Sequence, residues 1–593
     1  GFDLAGEILA PGSVRAWLDH HAKPGVKVGL AVAGSFGRGT GTLAGLAVAA
    51  ADGPAAWLDP TQLLPDDEQA LAAWLADPAR PKVVHDAKPA MLAFAAYGWE
   101  LAGLDTDTLL AAYLARPDQR SYDLVDLALR YLQRELRVET AADAQPALEG
   151  LGEANVVEQN LMLRARATLD LRDAIDVELS REGDGPRRLM ADVEQPLEYV
   201  LAGMERAGIA ADTHYLSELE AHFAGEVKAA AQAAYEVVGR EFNLGSPKQL
   251  QEILFTELGL PKTKRIKTGY TTDADSLQSL YAQTGHPVLE HLLRHREVAR
   301  LKSTVDGLLK SVSDDGRIHT TFFQTLAATG RLSSTDPNLQ NVPIRTEEGR
   351  RIRRAFIVGD ECECLLTADY SQIEMRIMAH LSRDEKLIEA FRSGADFHAA
   401  TASVVFAIPL AEVGPEHRRR VKAMNYGLAY GLSAFGLSTQ LGITTEEAKV
   451  LMDGYFERFG GVRDYLRGVV AQARRDGYTE TVLGRRRYLP DLTSDNRQRR
   501  EMAERMALNA PIQGSAADII KVAMLRVDAA LREAGLRSRM LLQVHDELVF
   551  ETATGEREQL EALVREQMGG AYPLDVPLEV SVGAGRDWDA ADH

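Results

Sequence analysis

The chain has 593 residues, of which 45% are hydrophobic and 26% charged, a composition typical of soluble protein with several domains. No apolar run approaches the roughly 18 residues of a membrane span, and the first residues lack the basic and apolar segments of a signal peptide. The net charge of −20 excludes a uniformly basic coat for nucleic acid, although a local basic cleft is compatible with it.

Cysteine usage indicates the compartment. Only Cys362 and Cys364 are present, too few for a disulfide framework or a zinc site. We therefore expect a protein of the reducing cytoplasm with no membrane partner. The first residue is Gly1 rather than Met, which indicates processing or a shortened chain.

The chain order predicts several units. Residues 1–190 mix apolar strand-like runs with Ala- and Leu-rich helical patterns, which predicts an α/β domain, and the Gly- and Pro-containing stretch 181–186 predicts its boundary. Residues 190–310 are helical in pattern, with Ser246 and Pro247 predicted to begin a helix. Strands, loops and helices then alternate to the end. The prediction is a multi-domain α/β chain, α+β overall.

Basic residues are clustered although the chain is acidic. Each cluster by itself is typical of a solvated face, but together they favour one positive cleft. They lie at 262–267, 350–354, 418–422, 485–487 and 497–500.

The segment 329–343 is dense in amides and contains Arg331, and two further amides follow at Asn509 and Gln513. Every Watson–Crick pair presents acceptors at its minor-groove edge. Amide and guanidinium donors there would test the shape of a base pair without reading its sequence. A polar turn around Asp336 accounts for the first segment equally well, so the residues alone leave both interpretations open.

Two aspartates stand at predicted strand ends. Asp369 follows the apolar run 364–368, and Asp546 lies between two short apolar runs, as at a hairpin tip. Mg²⁺ prefers oxygen ligands, and a pair of ions held by rigid carboxylates accelerates in-line displacement at phosphorus. The alternatives are that Asp369 and Ser371 cap a helix and that Asp546 is a turn residue.

Two glutamates have two interpretations each. Ser371 and Glu374 have the spacing of a capping box before an apolar helix face, and taken alone this is the favoured role of Glu374. Glu547 directly follows Asp546 and is either a secondary metal ligand or a solvated side chain.

Arg418, Lys422, Tyr426 and Tyr430 recur every four residues, which places them along one face of an α-helix. Two cations on that face would contact a polyphosphate, and an aromatic ring beyond them would meet a sugar and base. A surface helix with a solvated basic face is the alternative. Together with the two aspartates, the pattern indicates nucleotidyl transfer.

These segments resemble the motifs of family A DNA polymerases, over nearly the whole chain and most strongly from about 240. The resemblance implies a right-hand polymerase of palm, fingers and thumb behind an RNase H-like domain of the 3′–5′ exonuclease type. The implied units are 1–190 (degenerate exonuclease-like domain), 191–315 (thumb), 316–383 (palm, first part), 384–534 (fingers) and 535–593 (palm, second part). The matching segments are 329–341, 369–376, 418–427, 509–514 and 543–548.

The resemblance also implies site roles. Asp369 and Asp546 would bind two Mg²⁺, which Mn²⁺ can replace, and Lys422 would be the general acid, with Glu547 beside them. Residues implied to contact the deoxynucleoside triphosphate are Arg418, Lys422, Tyr426, Tyr430, His398 and Glu374, the last as a steric gate against a 2′-hydroxyl. Residues implied to contact primer-template DNA are Arg331, Asn338, Gln340, Asn341, Arg505, Asn509, Gln513 and His545.

Further expectations follow from the resemblance. The chain would add deoxynucleotides to a primer 3′ end, in repair and replication gap filling, as a monomer in the bacterial cytoplasm at the nucleoid. Tyr426 occupies a position that is Phe or Tyr across the family, and Tyr there implies efficient use of dideoxynucleotides. The family's 5′ nuclease domain has no counterpart in this sequence.

The N-terminal region departs from the family pattern. Exonuclease chemistry there needs an Asp-x-Glu pair and two further aspartates. The corresponding segments, 28–35, 88–91 and 164–169, contain no carboxylate. Because no metal pair is held without these ligands, we expect a domain that does not proofread.

Two other functions fit the residues less well. An RNA-synthesising single-subunit polymerase is disfavoured by Glu374, and a catalytically silent DNA-binding scaffold by the presence of Asp369, Asp546 and Lys422.

Overall fold

The structure, a computed structural model, describes residues 1–137 and 154–593. It mixes helices and sheets throughout, which confirms the predicted α/β class. Within the described ranges, no helix combines the length and the apolar character needed to cross a bilayer.

The N-terminal unit is a six-stranded mixed sheet in the order β1-β4-β3-β2-β5-β6. Gly29 on its second strand is essential to the packing, because a Cβ there would lie 2.0 Å from the Ala165 carbonyl oxygen of the long helix that crosses the sheet. The strands are β1 (Ala5–Ile8), β2 (Val28–Gly37), β3 (Thr40–Ala50), β4 (Pro54–Leu58), β5 (Lys82–Val84) and β6 (Leu104–Asp107). The helices are α1 (Val14–His21), α2 (Pro65–Ala76), α3 (Ala87–Ala96), α4 (Thr108–Ala115), α5 (Leu124–Leu132) and α6 (Ala154–Leu179).

A helical region follows. As predicted, Ser246 caps a helix that begins at Pro247, and its hydroxyl accepts from the backbone N–H of Gln249. The two longest helices of this region, α9 and α12, pack along each other. The helices are α7 (Gly185–Leu189), α8 (Gln195–Ala207), α9 (Thr213–Val238), α10 (Pro247–Gln251), α11 (Ala274–Thr284) and α12 (Pro287–Ser311). The short strands are β7 (Ile209–Ala211), β8 (Arg265–Ile266) and β9 (Gly269–Tyr270).

Short strands and one helix lead into the largest sheet of the C-terminal half. That sheet is antiparallel with the order β17-β18-β14-β19, and β14 is buried on both faces, which explains its continuous apolar run. The elements before it are β10 (Arg317–Ile318), β11 (Thr321–Phe323), β12 (Ser333–Thr335), α13 (Glu347–Arg353) and β13 (Phe356–Ile357). The sheet and its covering helix are β14 (Cys362–Tyr370), β17 (Arg539–Val544), β18 (Glu547–Ala553), α22 (Arg557–Gly569) and β19 (Val580–Gly585).

The chain between β14 and β17 is mainly helical. It ends in α21, a helix of 37 residues whose small buried side chains let it pack closely against its neighbours. The elements are α14 (Ile373–Ser382), α15 (Glu385–Arg392), α16 (Phe397–Phe406), α17 (Pro415–Gly427), α18 (Ala434–Leu441), α19 (Thr445–Arg458), α20 (Gly460–Asp476), β15 (Tyr478–Glu480), β16 (Arg486–Tyr488) and α21 (Arg497–Glu533). A single apolar core joins the sheet to these helices.

Candidate active site

Sheet register brings the two predicted metal ligands together. Asp369, near the end of β14, is paired directly with Glu547, the first residue of β18. Val544 pairs with Glu547 from the other side, so His545 and Asp546 form a two-residue hairpin turn. His545 has a positive φ of 55°, which such tight turns require at their first central residue. Asp546 therefore directly precedes Glu547, the residue that pairs with Asp369.

Negative charge is concentrated at this turn. Burial raises the pKa of Asp546 to about 6, Glu374 and Asp369 add to the rise, and Arg331 opposes it. Burial also raises the pKa of Asp369, against the hydrogen bond from His593. A divalent cation would relieve this repulsion, and carboxylate oxygens are the ligands that Mg²⁺ prefers. The residues present therefore fit a pair of hard divalent ions.

The C-terminal segment contributes contacts that the sequence reasoning did not find. His593 Nε2 lies 2.5 Å from Asp369 Oδ1, and Trp588 Nε1 donates to Glu547 Oε1 at 2.6 Å. The interpretation of Glu547 as merely solvated is therefore wrong. No sequence signal identified these partners, because 224 and 41 positions separate the members of the two pairs.

The predicted capping box at Ser371 does not form. Helix α14 begins after Gln372, which has a left-handed conformation and gives no side-chain cap, so the capping interpretation of Ser371 and Glu374 is wrong. Instead, Glu374 Oε2 accepts a hydrogen bond from the Tyr430 hydroxyl, and its Oε1 accepts one from Arg331 at 2.8 Å. Glu374 therefore links the segment 329–343 to the turn that follows the basic helix.

The basic helix α17 presents Arg418, Lys422 and Tyr426 at four-residue spacing, as predicted. Arg418 pairs with Asp396 at 3.0 Å, but both side chains are about half exposed, and such pairs contribute little stability. Lys422 is exposed and has no ion-pair partner among the described residues. The Tyr426 hydroxyl donates to Gln372 Oε1 at 2.9 Å. Both cations are thus available to an anionic ligand.

Tyr430 lies outside the α-helix, contrary to the four-residue pattern. α17 ends at Gly427, and residues Leu428–Tyr430 form a 3₁₀ turn closed by Gly431 at φ 77°. The tighter turn directs the Tyr430 hydroxyl to Glu374.

His398, on α16, is buried beside this helix. Its Nδ1 accepts from the side-chain amide of Asn425 at 3.1 Å, and its ring centroid lies 5.5 Å from that of Tyr426. Burial, together with the charge of Arg418, lowers the pKa of His398 to about 4, so the ring is neutral at neutral pH.

Several residues predicted to contact DNA converge on one cavity. Arg331, Gln340 and His545 line a cavity of about 290 Å³ together with Asp546. Beside it, Asn338 has a structural contact, because its Oδ1 accepts from the backbone N–H of Gln340 at 3.0 Å. The cavity thus places side chains that can donate hydrogen bonds to the minor groove next to the turn that carries Asp546.

The remaining predicted DNA residues lie on a neighbouring turn and on α21. Asn341 is exposed at the end of the 3₁₀ turn Leu339–Asn341. Arg505, Asn509 and Gln513 have the spacing of one helix face. Gly514 follows them, and a Cβ there would lie 3.1 Å from the Thr329 carbonyl oxygen, so α21 touches the segment that carries Arg331.

Three acidic residues do cluster where the N-terminal unit meets α8, at positions that the sequence reasoning missed. Asp86, Asp107 and Glu198 offer carboxylate oxygens that all lie within 4.8 Å of one another. They follow β5, end β6 and lie on α8, outside the three segments examined for exonuclease ligands. No motif indicated them, since the three residues lie 21 and 91 positions apart along the chain.

Comparisons with known proteins identify the family. A sequence model described as DNA polymerase family A matches residues 213–590, and one described as DNA polymerase I, ribonuclease H-like domain, matches residues 40–171. The chain belongs to DNA polymerase family A. The predicted family, and the polymerase fold with an RNase H-like domain, are confirmed.

Similar proteins include DNA polymerase I of Mycobacterium tuberculosis (strain ATCC 25618 / H37Rv), 65% identical over 595 residues, covering 100% of this chain and 66% of that protein. DNA polymerase I of Geobacillus stearothermophilus is 44% identical over 518 residues, covering 87% of this chain and 59% of that protein. The chain thus spans about 66% of the length of the first of these relatives. A solved structure of the POL domain of Pol1 from M. smegmatis, in complex with DNA primer-template and dNTP, is 61% identical, with a TM-score of 0.91, and covers 99% of this chain and 100% of that one.

Proposed function

We propose that this chain is a template-directed DNA polymerase that adds deoxynucleotides to a primer 3′ end by two-metal nucleotidyl transfer. The observation that carries the proposal is the pairing of Asp369 with Glu547, which sets Asp546 beside Asp369. The exposed cations of α17 and the similarity to a domain solved with primer-template and dNTP support it.

In this proposal Asp369 and Asp546 hold two divalent ions, with Glu547 at the edge of the site. Bound Mg²⁺, or Mn²⁺ in its place, would activate the primer 3′-hydroxyl and stabilise the charge on the leaving pyrophosphate. Lys422 Nζ donates a proton to that pyrophosphate, and Arg418 exchanges Asp396 for the triphosphate at small cost.

Other residues position the incoming nucleotide and select its sugar. Tyr426 stacks near the incoming sugar and base, beside the neutral ring of His398. Glu374, held by Tyr430 and Arg331, occupies the space that a 2′-hydroxyl would need. Selection against ribonucleotides follows from this fixed carboxylate.

The DNA-contacting residues test base-pair shape through their side-chain donors. They are Arg331, Asn338, Gln340, Asn341, Arg505, Asn509, Gln513 and His545. The units that carry them are the palm (316–383 and 535–593) and the fingers (384–534), with 191–315 as the thumb and 1–190 as an exonuclease-like domain that does not proofread. The enzyme works as a cytoplasmic monomer in repair and gap filling.

Primer extension tests the proposal directly. Wild type extends a primer on a DNA template with deoxynucleotides and discriminates against ribonucleotides, whereas Asp546→Asn lowers the rate at least a hundredfold. Asp173→Asn changes an aspartate that is 88% exposed on α6 and serves as the control, expected to match wild type. If folded Asp546→Asn extends primers normally, the site is misplaced; ribonucleotide preference in wild type would favour RNA synthesis.

A further inference from the structure

A cluster of three carboxylates lies between the N-terminal sheet and helix α8, away from the polymerase residues. Asp86 follows β5, Asp107 ends β6, and Glu198 lies on α8. One carboxylate oxygen of each lies within 4.8 Å of the others, a separation that a single ion with oxygen ligands can span.

Glu198 is the member of this cluster that α8 contributes, and it is deeply buried. Glu198 is 2% exposed, and its Oε2 atom is fully buried and has no hydrogen-bond partner. A buried carboxylate oxygen without a partner is costly, and such an atom indicates a ligand. Glu198 and Asp86 both line a cavity of about 310 Å³ that also borders β11, so the cluster has room for an ion with bound water.

The basic side chains near this cluster bind other partners. Lys88 pairs with Glu205 at 2.6 Å and donates to the Phe322 carbonyl oxygen. His85 does not pair with these carboxylates either, because its Nδ1 contacts the Thr108 hydroxyl at 2.9 Å. No described cation therefore forms an ion pair with the three carboxylates.

Asp107 is pre-positioned for such a site. Its two oxygens accept hydrogen bonds from the backbone N–H groups of Asp86, Ala87 and Leu109, at 2.8–2.9 Å. These bonds fix the orientation of the carboxylate. Oδ1 accepts two of them and Oδ2 accepts one, so Oδ2 keeps a lone pair for a further ligand. A carboxylate oxygen held in a fixed position is suited to bind a hard cation.

We propose that Asp86, Asp107 and Glu198 bind one hard divalent cation, of the Mg²⁺ or Mn²⁺ class, that joins the N-terminal sheet to α8. The ion is distinct from the two proposed at Asp369 and Asp546. It has a structural role, because the three ligands come from three separate elements. The alternative without an ion is a protonated Glu198 that donates a hydrogen bond to Asp107.

Mn²⁺ binding separates these two arrangements. The full chain with Asp369→Asn and Asp546→Asn, which lacks the proposed polymerase ions, is titrated with Mn²⁺, and free Mn²⁺ is counted by electron paramagnetic resonance. We expect one bound ion per chain and a rise in Tm on binding. Adding Glu198→Gln, which keeps shape and hydrogen bonding, weakens that binding at least tenfold and removes the Tm rise.

Asp105→Asn, two positions before Asp107, is the matched control, since Asp105 pairs with Arg172 outside the cluster and its change leaves Mn²⁺ binding unaltered. Asp86→Asn is a second test should Glu198→Gln fold poorly. Absence of a bound ion in the parent, or equal binding in the parent and the cluster variants, overturns the proposal. In the otherwise unchanged chain, we expect Glu198→Gln to extend primers at a rate within about twofold of wild type. The proposal for this site and the proposed polymerase function can therefore be refuted separately.

Discussion

At the residue scale, the ring of Tyr426 is the feature most open to a selective test. Its hydroxyl donates to Gln372 Oε1, and its position on α17 places it next to the proposed sugar site. A phenol hydroxyl near the sugar supplies a polar group where a dideoxynucleotide lacks its own.

We therefore expect wild type to use dideoxynucleotides nearly as well as deoxynucleotides, and Tyr426→Phe to lower the dideoxy rate at least tenfold while sparing the deoxy rate. Single-nucleotide incorporation with each substrate measures the ratio. Strong discrimination by wild type, unchanged in the variant, is the contrary result.

His398 predicts a pH dependence of stability. Its folded pKa of about 4 lies below the ordinary value of 6.5. Between pH 6.5 and 4 the unfolded chain binds a proton that the folded chain does not, so stability falls as pH falls through this window. His398→Gln keeps an acceptor for Asn425 and is expected to lose about 1–2 kcal/mol less than wild type over that range.

Chemical denaturation at a series of pH values checks the His398 prediction. His85 also has its pKa lowered to about 4, but it is present in both proteins and cancels in the difference. Parallel pH profiles for wild type and variant would show that His398 does not carry the effect.

At the scale of elements, the contact of β2 with α6 depends on Gly29. A Cβ at this position would lie 2.0 Å from the backbone oxygen of Ala165, which a side-chain rotation does not relieve. Gly29→Ala is therefore expected to lower the stability of the N-terminal unit by about 1–3 kcal/mol.

Thermal unfolding measures this loss as a lower Tm of the first transition. Gly203→Ala on α8 is the control, because nothing lies within 4 Å of its Cβ and alanine favours a helix by up to about 1 kcal/mol. A Gly29→Ala variant as stable as wild type would mean that the helix can move away from the sheet.

Elements with local signals were predictable from sequence. The strand ending at Asp369 and the helix with Arg418 and Lys422 follow from apolar runs and four-residue spacing. The spacing did not reveal that α17 stops at Gly427, where the chain tightens into a 3₁₀ turn. Local pattern also misassigned Glu374, because its partner Tyr430 lies 56 residues away.

At the scale of the molecule, long-range contacts were beyond sequence reasoning. Asp86, Asp107 and Glu198 are scattered over the chain, and the packing of α8 against α3 and the end of β6 brings them together. The same holds for His593 against Asp369. Neither the composition nor the spacing of apolar residues along the chain indicates such long-range contacts.

The whole molecule is expected to extend primers without shortening them. The segments 28–35, 88–91 and 164–169 contribute no carboxylate to a metal pair. A labelled primer with a mismatched 3′ end, incubated with Mg²⁺ or Mn²⁺, should stall or grow slowly. Metal-dependent loss of the terminal nucleotide, abolished by Glu198→Gln, would instead make the carboxylate cluster a nuclease site.

The most direct test of the central claim is anomalous diffraction at the manganese edge from crystals with primer-template and a non-hydrolysable deoxynucleoside triphosphate. We predict two manganese peaks, with oxygens of Asp369 and of Asp546 both within about 2.0–2.6 Å of an ion. Peaks that contact only one of these aspartates, or none, would contradict the account.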